Sequence, residues 1–185
     1  MLTVPNSYSG GTTLSGGTLV IGDPSALGST TGALNVSSGT LVNDGFNLGV
    51  GTVTLGSATI SGSGTITGTY FKATNEGSLL ISNSLAGAGG FTNGGSGITT
   101  LVATNTYAGA TFVTNGTLVA GNSNAISTNA ITVSNGVLNL ADNNIFTNQF
   151  YLGSGTIQGG LISNKTSFTG FTNGTVSSSL VWPCV

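Results

Sequence analysis

The stretch Gly116-Thr117-Leu118 is one copy of a three-residue pattern that recurs along the whole chain. In most copies a Gly or Ala is followed by a short residue and then by an aliphatic one, and successive copies begin 19 to 22 residues apart. A period of about 20 residues is typical of a solenoid, in which each turn buries its apolar side only by stacking on its neighbours. The other copies are Gly17-Thr18-Leu19, Gly39-Thr40-Leu41, Ala58-Thr59-Ile60, Gly77-Ser78-Leu79, Gly97-Ile98-Thr99, Gly136-Val137-Leu138, Gly155-Thr156-Ile157 and Gly174-Thr175-Val176.

Apolar residues within each period fall into three zones, which predict three short strands per turn. Helix is disfavoured because Gly, Thr, Ser, Asn and Val dominate the sequence. Counted from the recurring Gly or Ala, the zones lie at position two, near positions eight to ten and near positions thirteen to seventeen. We therefore predict an all-β fold, a triangular parallel β-solenoid of about nine turns of 19–20 residues. The second zone contains Leu27, Leu48, Ile66, Leu85, Tyr107, Ile126, Ile145 and Phe146, and the third contains Leu34, Val53, Leu55, Phe91, Phe112, Ile131, Phe150, Leu152 and Phe168.

A small polar residue precedes most copies of the pattern, and in three cases it forms an Asn-Gly pair. The pairs are Asn115-Gly116, Asn135-Gly136 and Asn173-Gly174. Asn-Gly is typical of a tight corner in which the Gly adopts a positive φ. Because this corner recurs in successive turns, we predict that its Asn or Ser side chains stack in a stabilising ladder.

A longer repeat is superimposed on the short one. Tyr107-Ala108-Gly109-Ala110-Thr111 repeats the pattern of Tyr8-Ser9-Gly10-Gly11-Thr12 at an offset of 99 residues. We predict a single solenoid over residues 1–185 that contains two superrepeats, about 6–104 and 105–185, of which the second is incomplete.

The amino-acid composition excludes several classes of function. Only 3% of residues are charged, against about 25% in an ordinary soluble domain, so no basic patch favours a nucleic-acid partner. The sequence has no histidine, which excludes histidine-based chemistry. Because Cys184 is its single cysteine, cysteine metal clusters and intrachain disulfides are excluded as well. No run approaches the roughly 18 apolar residues of a membrane-spanning helix. We predict no cofactor, no metal site and no membrane span in this chain.

Two segments resemble the autotransporter-associated β-strand repeat, which consists roughly of Asn-x-Tyr-x-Gly-x-Thr, a short apolar strand and Gly-Thr-Leu. They are residues 6–22, which begin Asn6-Ser7-Tyr8, and residues 105–121, which begin Asn105-Thr106-Tyr107. With the Gly/Ala-x-aliphatic turns between them, the likeness covers essentially the whole chain. The resemblance implies a right-handed parallel β-helix in a bacterial secreted or surface-exposed passenger, a class that serves as stalks, adhesins or matrix components.

Two carboxylates are candidates for chemistry. Asp23 and Asp44 follow their repeat starts by six and five positions in adjacent turns, an arrangement open to a glycosidase pair or a calcium site. Both are also typical corner residues, and Pro24 fixes a turn after Asp23; this second interpretation is favoured. Because the acidic and basic clusters of polysaccharide-degrading β-helices are lacking, we predict no catalytic residues and no enzyme.

The remaining distinctive residues are assigned to structure. Threonine alternation such as Thr52-Val53-Thr54 is assigned to strand preference rather than to ice binding. Trp182-Pro183-Cys184 breaks the repeat and is predicted to cap the last turn, with a cross-link between chains through Cys184 as the alternative. Four aromatic residues are predicted to pack in the core or at corners rather than to form carbohydrate platforms. They are Tyr8, Tyr107, Phe91 and Phe112.

The predicted function is structural. We expect an extracellular or cell-surface solenoid that acts as a stalk or fibre subunit and assembles head-to-tail into a homopolymer. The reason is that a solenoid end exposes unpaired strand edges, which charge or a cap normally protects, whereas Leu2-Thr3-Val4 is a strand-like run with almost no charge nearby. The alternatives are an adhesin passenger that binds carbohydrate or a host surface, and a polysaccharide-active enzyme.

Overall fold

The computed structural model describes residues 1–169 and 173–181, and side chains for residues 1–163 and 173–181. Every regular element within these residues is a β-strand. The strands are β1 (Thr12–Ile21), β2 (Leu34–Asn43), β3 (Asn47–Gly49), β4 (Thr52–Ser61), β5 (Thr65–Thr67), β6 (Tyr70–Ala73), β7 (Ser78–Ile81), β8 (Ser84–Ala86), β9 (Phe91–Asn93), β10 (Ile98–Leu101), β11 (Thr111–Val113), β12 (Thr117–Ala120), β13 (Ile131–Val133), β14 (Val137–Leu152), β15 (Thr156–Thr169) and β16 (Thr175–Val181).

These strands wind into a coil of about eight turns. Between the described strands every pairing is parallel and joins strands of adjacent turns. β4 shows how the coil bends, since its first half pairs with β6 and its second half with β7. The predicted all-β parallel solenoid is confirmed, while the right-handed sense of the coil stays a prediction.

Up to three strand segments in a turn define three faces of the rod. The first face contains residues 12–14, 34–36, 53–55, 71–73, 91–93, 111–113, 131–133 and 150–152. The second face contains residues 18–21, 40–43, 59–61, 78–81, 98–101, 117–120, 137–139, 156–158 and 175–177. The third face contains residues 47–49, 65–67 and 84–86 and, further along the rod, 143–147 and 161–163.

Side chains alternate between the core and solvent along each face. In β6, Phe71 and Ala73 are fully buried, whereas Tyr70 and Lys72 point outward. This period of two is the strand pattern that the sequence carries. The inward side chains of successive turns join in one continuous core, in which full burial of a large aliphatic or aromatic side chain contributes roughly 1.5–3 kcal/mol. Each turn therefore depends on its neighbours for stability.

The aliphatic residue of the recurring pattern forms an inward column on the second face, with one change of register. Leu41 pairs with Ile60, but Ile60 pairs with Ile81 and not with Leu79. A shift of two residues keeps the same set of side chains inward, because side chains alternate with a period of two. The other members of the column are Leu19, Thr99, Leu118, Leu138, Ile157 and Val176.

At the corners of the coil, glycine is needed more often for close packing than for a positive φ. Gly116 has a positive φ of 57°, but Gly136 and Gly174 do not. A Cβ added at Gly136 would lie 2.8 Å from Cγ1 of Val113, and one added at Gly174 would lie 2.4 Å from Cγ of Leu152. Glycine is required at these two corners because the corner packs directly on an aliphatic side chain of a preceding turn.

The corner asparagines are exposed, and the expected ladder of corner side chains stays a prediction. Asn115, Asn135 and Asn173 all lie at exposed positions. The contact with the neighbouring turn at Asn115 uses its backbone, since its carbonyl oxygen accepts a hydrogen bond from Nδ2 of Asn93 at 2.7 Å. The asparagines that connect turns through their side chains are a different set, which lies inside the corners.

Candidate functional site

Asn105, Tyr107 and Thr111 form a clamp that ties three successive turns together. Oδ1 of Asn105 accepts a hydrogen bond from the backbone N–H of Leu85 in the preceding turn at 2.7 Å. Nδ2 of Asn105 donates to the carbonyl oxygen of Ala125 in the following turn at 2.6 Å. The hydroxyls of Tyr107 and Thr111 are 2.7 Å apart and share a hydrogen bond. The Asn of the resemblance motif Asn-x-Tyr-x-Gly-x-Thr therefore connects neighbouring turns, and its Tyr and Thr bond each other within one turn.

Two of these three contacts occur in the first copy of the motif. Nδ2 of Asn6 donates to the carbonyl oxygen of Ala26 at 2.8 Å, and the hydroxyls of Tyr8 and Thr12 are 2.7 Å apart. Each of these residues lies 99 positions before its counterpart in the second copy. The Tyr8 ring is 38% exposed, whereas Tyr107 is 1% exposed. Identical side chains thus have different surroundings in the two copies.

Aromatic rings enclose Tyr107 in the core. Its ring centroid lies 6.2 Å from that of Phe71 and 6.2 Å from that of Phe91. Burial removes the phenolate from water and raises the pKa of Tyr107 to about 12, although the hydrogen bond with Thr111 acts in the opposite direction. Tyr107 is therefore a neutral hydrogen-bonding group at physiological pH, not an acid or a base.

Asp23 acts as a turn residue. Its Oδ1 accepts a hydrogen bond from the backbone N–H of Ser25 at 2.7 Å. Asn122 occupies the corresponding position in the second copy, and its Oδ1 accepts from the N–H of Asn124 at 2.6 Å. A neutral amide performs the same task, so the carboxylate charge of Asp23 is not needed for this contact. Asp44, its proposed partner in chemistry, is exposed, and within the described residues no three His, Cys, Asp or Glu side chains are grouped to hold a metal ion.

Several asparagines are buried at the inner side of the corners, which the sequence did not indicate. Nδ2 of Asn83 donates to the carbonyl oxygens of Asn43 and Gly64, at 3.0 Å each, and so bridges two preceding turns. Asn75 accepts a hydrogen bond from Oγ1 of Thr99 at 2.9 Å. This bond explains why a polar residue at position 99 is tolerated in the otherwise aliphatic column of the second face.

Phe112 is not a core residue, contrary to the sequence prediction. It points outward with 38% of its surface exposed, and its neighbour Thr111 is fully buried. The cause is local: Thr111 turns inward to bond Tyr107, and alternation then places Phe112 outside. Phe146 of the second apolar zone is likewise outward, with 58% exposed, while Ile145 is buried. Phe91 and Tyr107 do lie in the core.

The outer surface of the first face carries three exposed aromatic side chains. Tyr70 is 36% exposed, and Phe112 and Tyr151 are each 38% exposed. Thr92 pairs with Phe112, and Thr132 lies between Phe112 and Tyr151 in register. Tyr70 lies two residues to the side of this row, before Lys72. We call the three aromatic residues and the two threonines the aromatic stripe. It is the strongest candidate for a binding surface among the described residues, because it gathers exposed aromatic side chains on one face.

Two features predicted near the end of the chain involve residues that the structure does not describe. The cap at Trp182-Pro183-Cys184 and the possible cross-link through Cys184 lie outside the described residues, as does the side chain of Phe168. None of the elements in residues 1–169 and 173–181 is a helix with the length and apolar character to cross a membrane.

Comparison with known proteins links the two motif copies to one repeat family. Residues 1–21 and 91–120 match the passenger-associated transport repeat. The adhesin BmaC autotransporter of Brucella suis biovar 1 (strain 1330) is 36% identical over 122 residues, which are 65% of this chain. The chain spans 3% of the length of that curated relative. No solved structure matches the chain.

Proposed function

This chain is an autotransporter passenger repeat protein, and from that premise we propose that it forms a stiff, nearly uncharged segment of a rod displayed at the bacterial cell surface. The observation that supports this most directly is the clamp at Asn105, which bonds the turns before and after it. Together with the continuous core, such clamps oppose bending and separation of turns. The name of the adhesin relative and the passenger repeat both fit a role that is not enzymatic.

Surface display is tested by fusing the chain to an autotransporter translocator in a laboratory strain. Intact cells are treated with an external protease or labelled with an antibody against the chain. We expect labelling and cleavage without permeabilisation. A chain that is protected in intact cells and accessible only after permeabilisation would contradict the proposal. A fusion that carries Asp23→Asn is the matched control for enzymatic roles, since we expect equal display and no hydrolysis of polysaccharides by either fusion.

We further propose that the rods associate head-to-tail. At the first described turn, β1 pairs with β2 on one side, while its other edge carries the single isolated bridge between Leu2 and Ile21. Leu14 and Leu19 face the core side of β1 but remain partly exposed. Another rung placed on this edge would cover both side chains and extend the parallel ladder.

Sedimentation velocity at increasing concentration tests this association. We expect growth of the wild type into longer rods, and loss of growth in Leu19→Lys, because an inward charge at an edge blocks strand addition. Thr13→Lys, at an outward position of the same strand, is the control that should still associate. A monomeric wild type at the highest concentration would refute head-to-tail assembly.

A second candidate function is adhesion to a carbohydrate or a host surface. The specific observation that favours it is the aromatic stripe, whose three aromatic side chains are exposed although large aromatic side chains are normally buried in the core or at an interface.

A further inference from the structure

Four residues of the aromatic stripe form a straight row along the rod axis, and Tyr70 lies beside its end. Phe112 pairs with Thr92 on one side and with Thr132 on the other, and Thr132 pairs with Tyr151. Phe112 and Tyr151 are thus two rungs apart, which is roughly 10 Å at the usual spacing of strands. Threonine hydroxyls lie between the rings. The result is an alternation of apolar platforms and hydrogen-bonding groups on a flat sheet.

Tyr70 extends the stripe towards the first described turns. Its hydroxyl shares a hydrogen bond with Oγ1 of Thr92, so its ring lies beside the same threonine that neighbours Phe112 in the ladder. From Tyr70 to Tyr151 the stripe covers four rung spacings, or roughly 20 Å. A surface of this length contacts several units of a linear polymer at once.

Nothing in the core requires these aromatic side chains. They lie at outward positions of their strands. The positions equivalent to Phe112 and Tyr151 at the start of the same face hold Thr13, Asn35 and Thr54, and the position paired with Tyr70 holds Thr52. Small polar residues therefore satisfy the fold at these places. The rings add exposed apolar area that the solenoid itself does not use.

The charge of the surface restricts the kind of ligand. Lys72, which pairs with Thr92 in the ladder, is the charged side chain among the outward ladder positions of the first face within the described residues. A single cation does not neutralise the closely spaced phosphates of a nucleic acid or a polyanionic glycan. Ring faces and hydroxyls without charge instead match a ligand whose rings present apolar C–H faces and hydroxyl edges.

We propose that the aromatic stripe binds a neutral polysaccharide strand that lies along the rod axis. Tyr70, Phe112 and Tyr151 stack against sugar rings, and the hydroxyls of Thr92 and Thr132 bond sugar hydroxyls between them. This inference deepens the proposed surface role and rests on it, since the stripe meets a polysaccharide only on a displayed rod. A second copy of the chain, stacked stripe to stripe, is the competing occupant.

Native gel electrophoresis in gels that contain one polysaccharide each tests the proposal. The probes are the neutral polymers hydroxyethyl cellulose, glucomannan, xyloglucan and dextran, with anionic alginate as the comparison. We expect at least one neutral polymer to retard the wild type, with retardation unchanged by added salt because no ion pair is involved. Alginate should have no effect.

The decisive variant is the double substitution Phe112→Thr with Tyr151→Thr. Threonine suits an outward strand position, so the rod should keep its β circular-dichroism spectrum. We expect retardation to weaken at least about tenfold, which corresponds to roughly 1.4 kcal/mol. Phe146→Thr, which removes a 58% exposed ring from the third face, is the matched control and should bind like the wild type.

Three results would overturn the inference. They are a wild type that no neutral polymer retards, a double variant that binds as well as the wild type, and a Phe146→Thr control that loses as much affinity. If the double substitution instead changes the sedimentation of the free protein while no polymer binds, the stripe is a contact between copies. Protease accessibility of the displayed rod is unaffected by all these outcomes and reports separately on the proposed function.

Discussion

At the scale of single residues, the two motif copies place the same tyrosine in unequal surroundings. Tyr107 is packed against Phe71 and Phe91, whereas 38% of Tyr8 is exposed. Both share a hydrogen bond with the threonine four positions later. The hydrogen bond is therefore common to both copies, whereas Tyr107 is nearly fully buried and Tyr8 is not.

This difference predicts a pH dependence of stability. The pKa of Tyr107 is raised from 10.0 to about 12 in the folded chain, so folding favours the neutral phenol. The resulting contribution is complete below pH about 10, the unfolded value, and is lost as pH rises towards 12. Its size is roughly 2 to 3 kcal/mol. Urea unfolding between pH 8 and 11.5 should show this loss in the wild type and not in Tyr107→Phe.

Tyr8→Phe is the control for that experiment. It removes the equivalent hydroxyl from the less buried copy, and we expect it to keep the wild-type loss of stability at high pH. Tyr107→Phe should also be less stable at neutral pH by roughly 1–3 kcal/mol, because the buried hydroxyl of Thr111 loses its partner. Parallel pH profiles for wild type and Tyr107→Phe would show that Tyr107 is not the responsible group.

At the scale of the element, the strands and their spacing were predictable from sequence, but two details were not. Alternation and a 20-residue period specify parallel strands in stacked turns, as β9, β11 and β13 show. The inward turn of Thr111 depends on a bond to Tyr107, a contact that no periodicity reports. The inward asparagines at positions 75 and 83 were also missed, since Asn ordinarily indicates an exposed turn and their partners are carbonyls of neighbouring turns.

We expect Asn105 of the clamp to contribute more to the free energy of unfolding than the exposed corner residue Asn115. Asn105→Ala leaves the N–H of Leu85 and the carbonyl of Ala125 without their present partner, so we expect a loss of roughly 2–4 kcal/mol in the free energy of unfolding. Asn115→Ala changes an exposed side chain and should alter stability by no more than about 0.5 kcal/mol. Urea unfolding followed by circular dichroism measures both. Equal losses in the two variants would show that a corner asparagine stabilises the coil as much as Asn105 does, as the predicted ladder of corner side chains requires.

At the scale of the whole molecule, a solenoid is a stack in which each turn contacts its neighbours. The register of β10, β12 and β14 shows this directly: Ile98 pairs with Thr117, and Thr117 with Val137. Removing residues 117–136 joins Gly116 to Val137 and brings Ile98 opposite Val137, so the same faces stay in register. A globular domain with one closed core has no comparable unit that can be removed.

We therefore expect the chain without residues 117–136 to fold into a rod shorter by roughly 5 Å, one strand spacing. Its stability should fall, because one turn of core and the bond from Asn105 to Ala125 are lost. Small-angle scattering and circular dichroism measure the length and the β content. Removing only residues 117–126 is the matched control: it joins Gly116 to Ser127 and displaces every later strand by half a turn, so this variant should lose its β spectrum. If the two deletions were equally unfolded, or equally folded, stability would not be organised turn by turn, and the mechanical role assigned to the clamps would lose its basis.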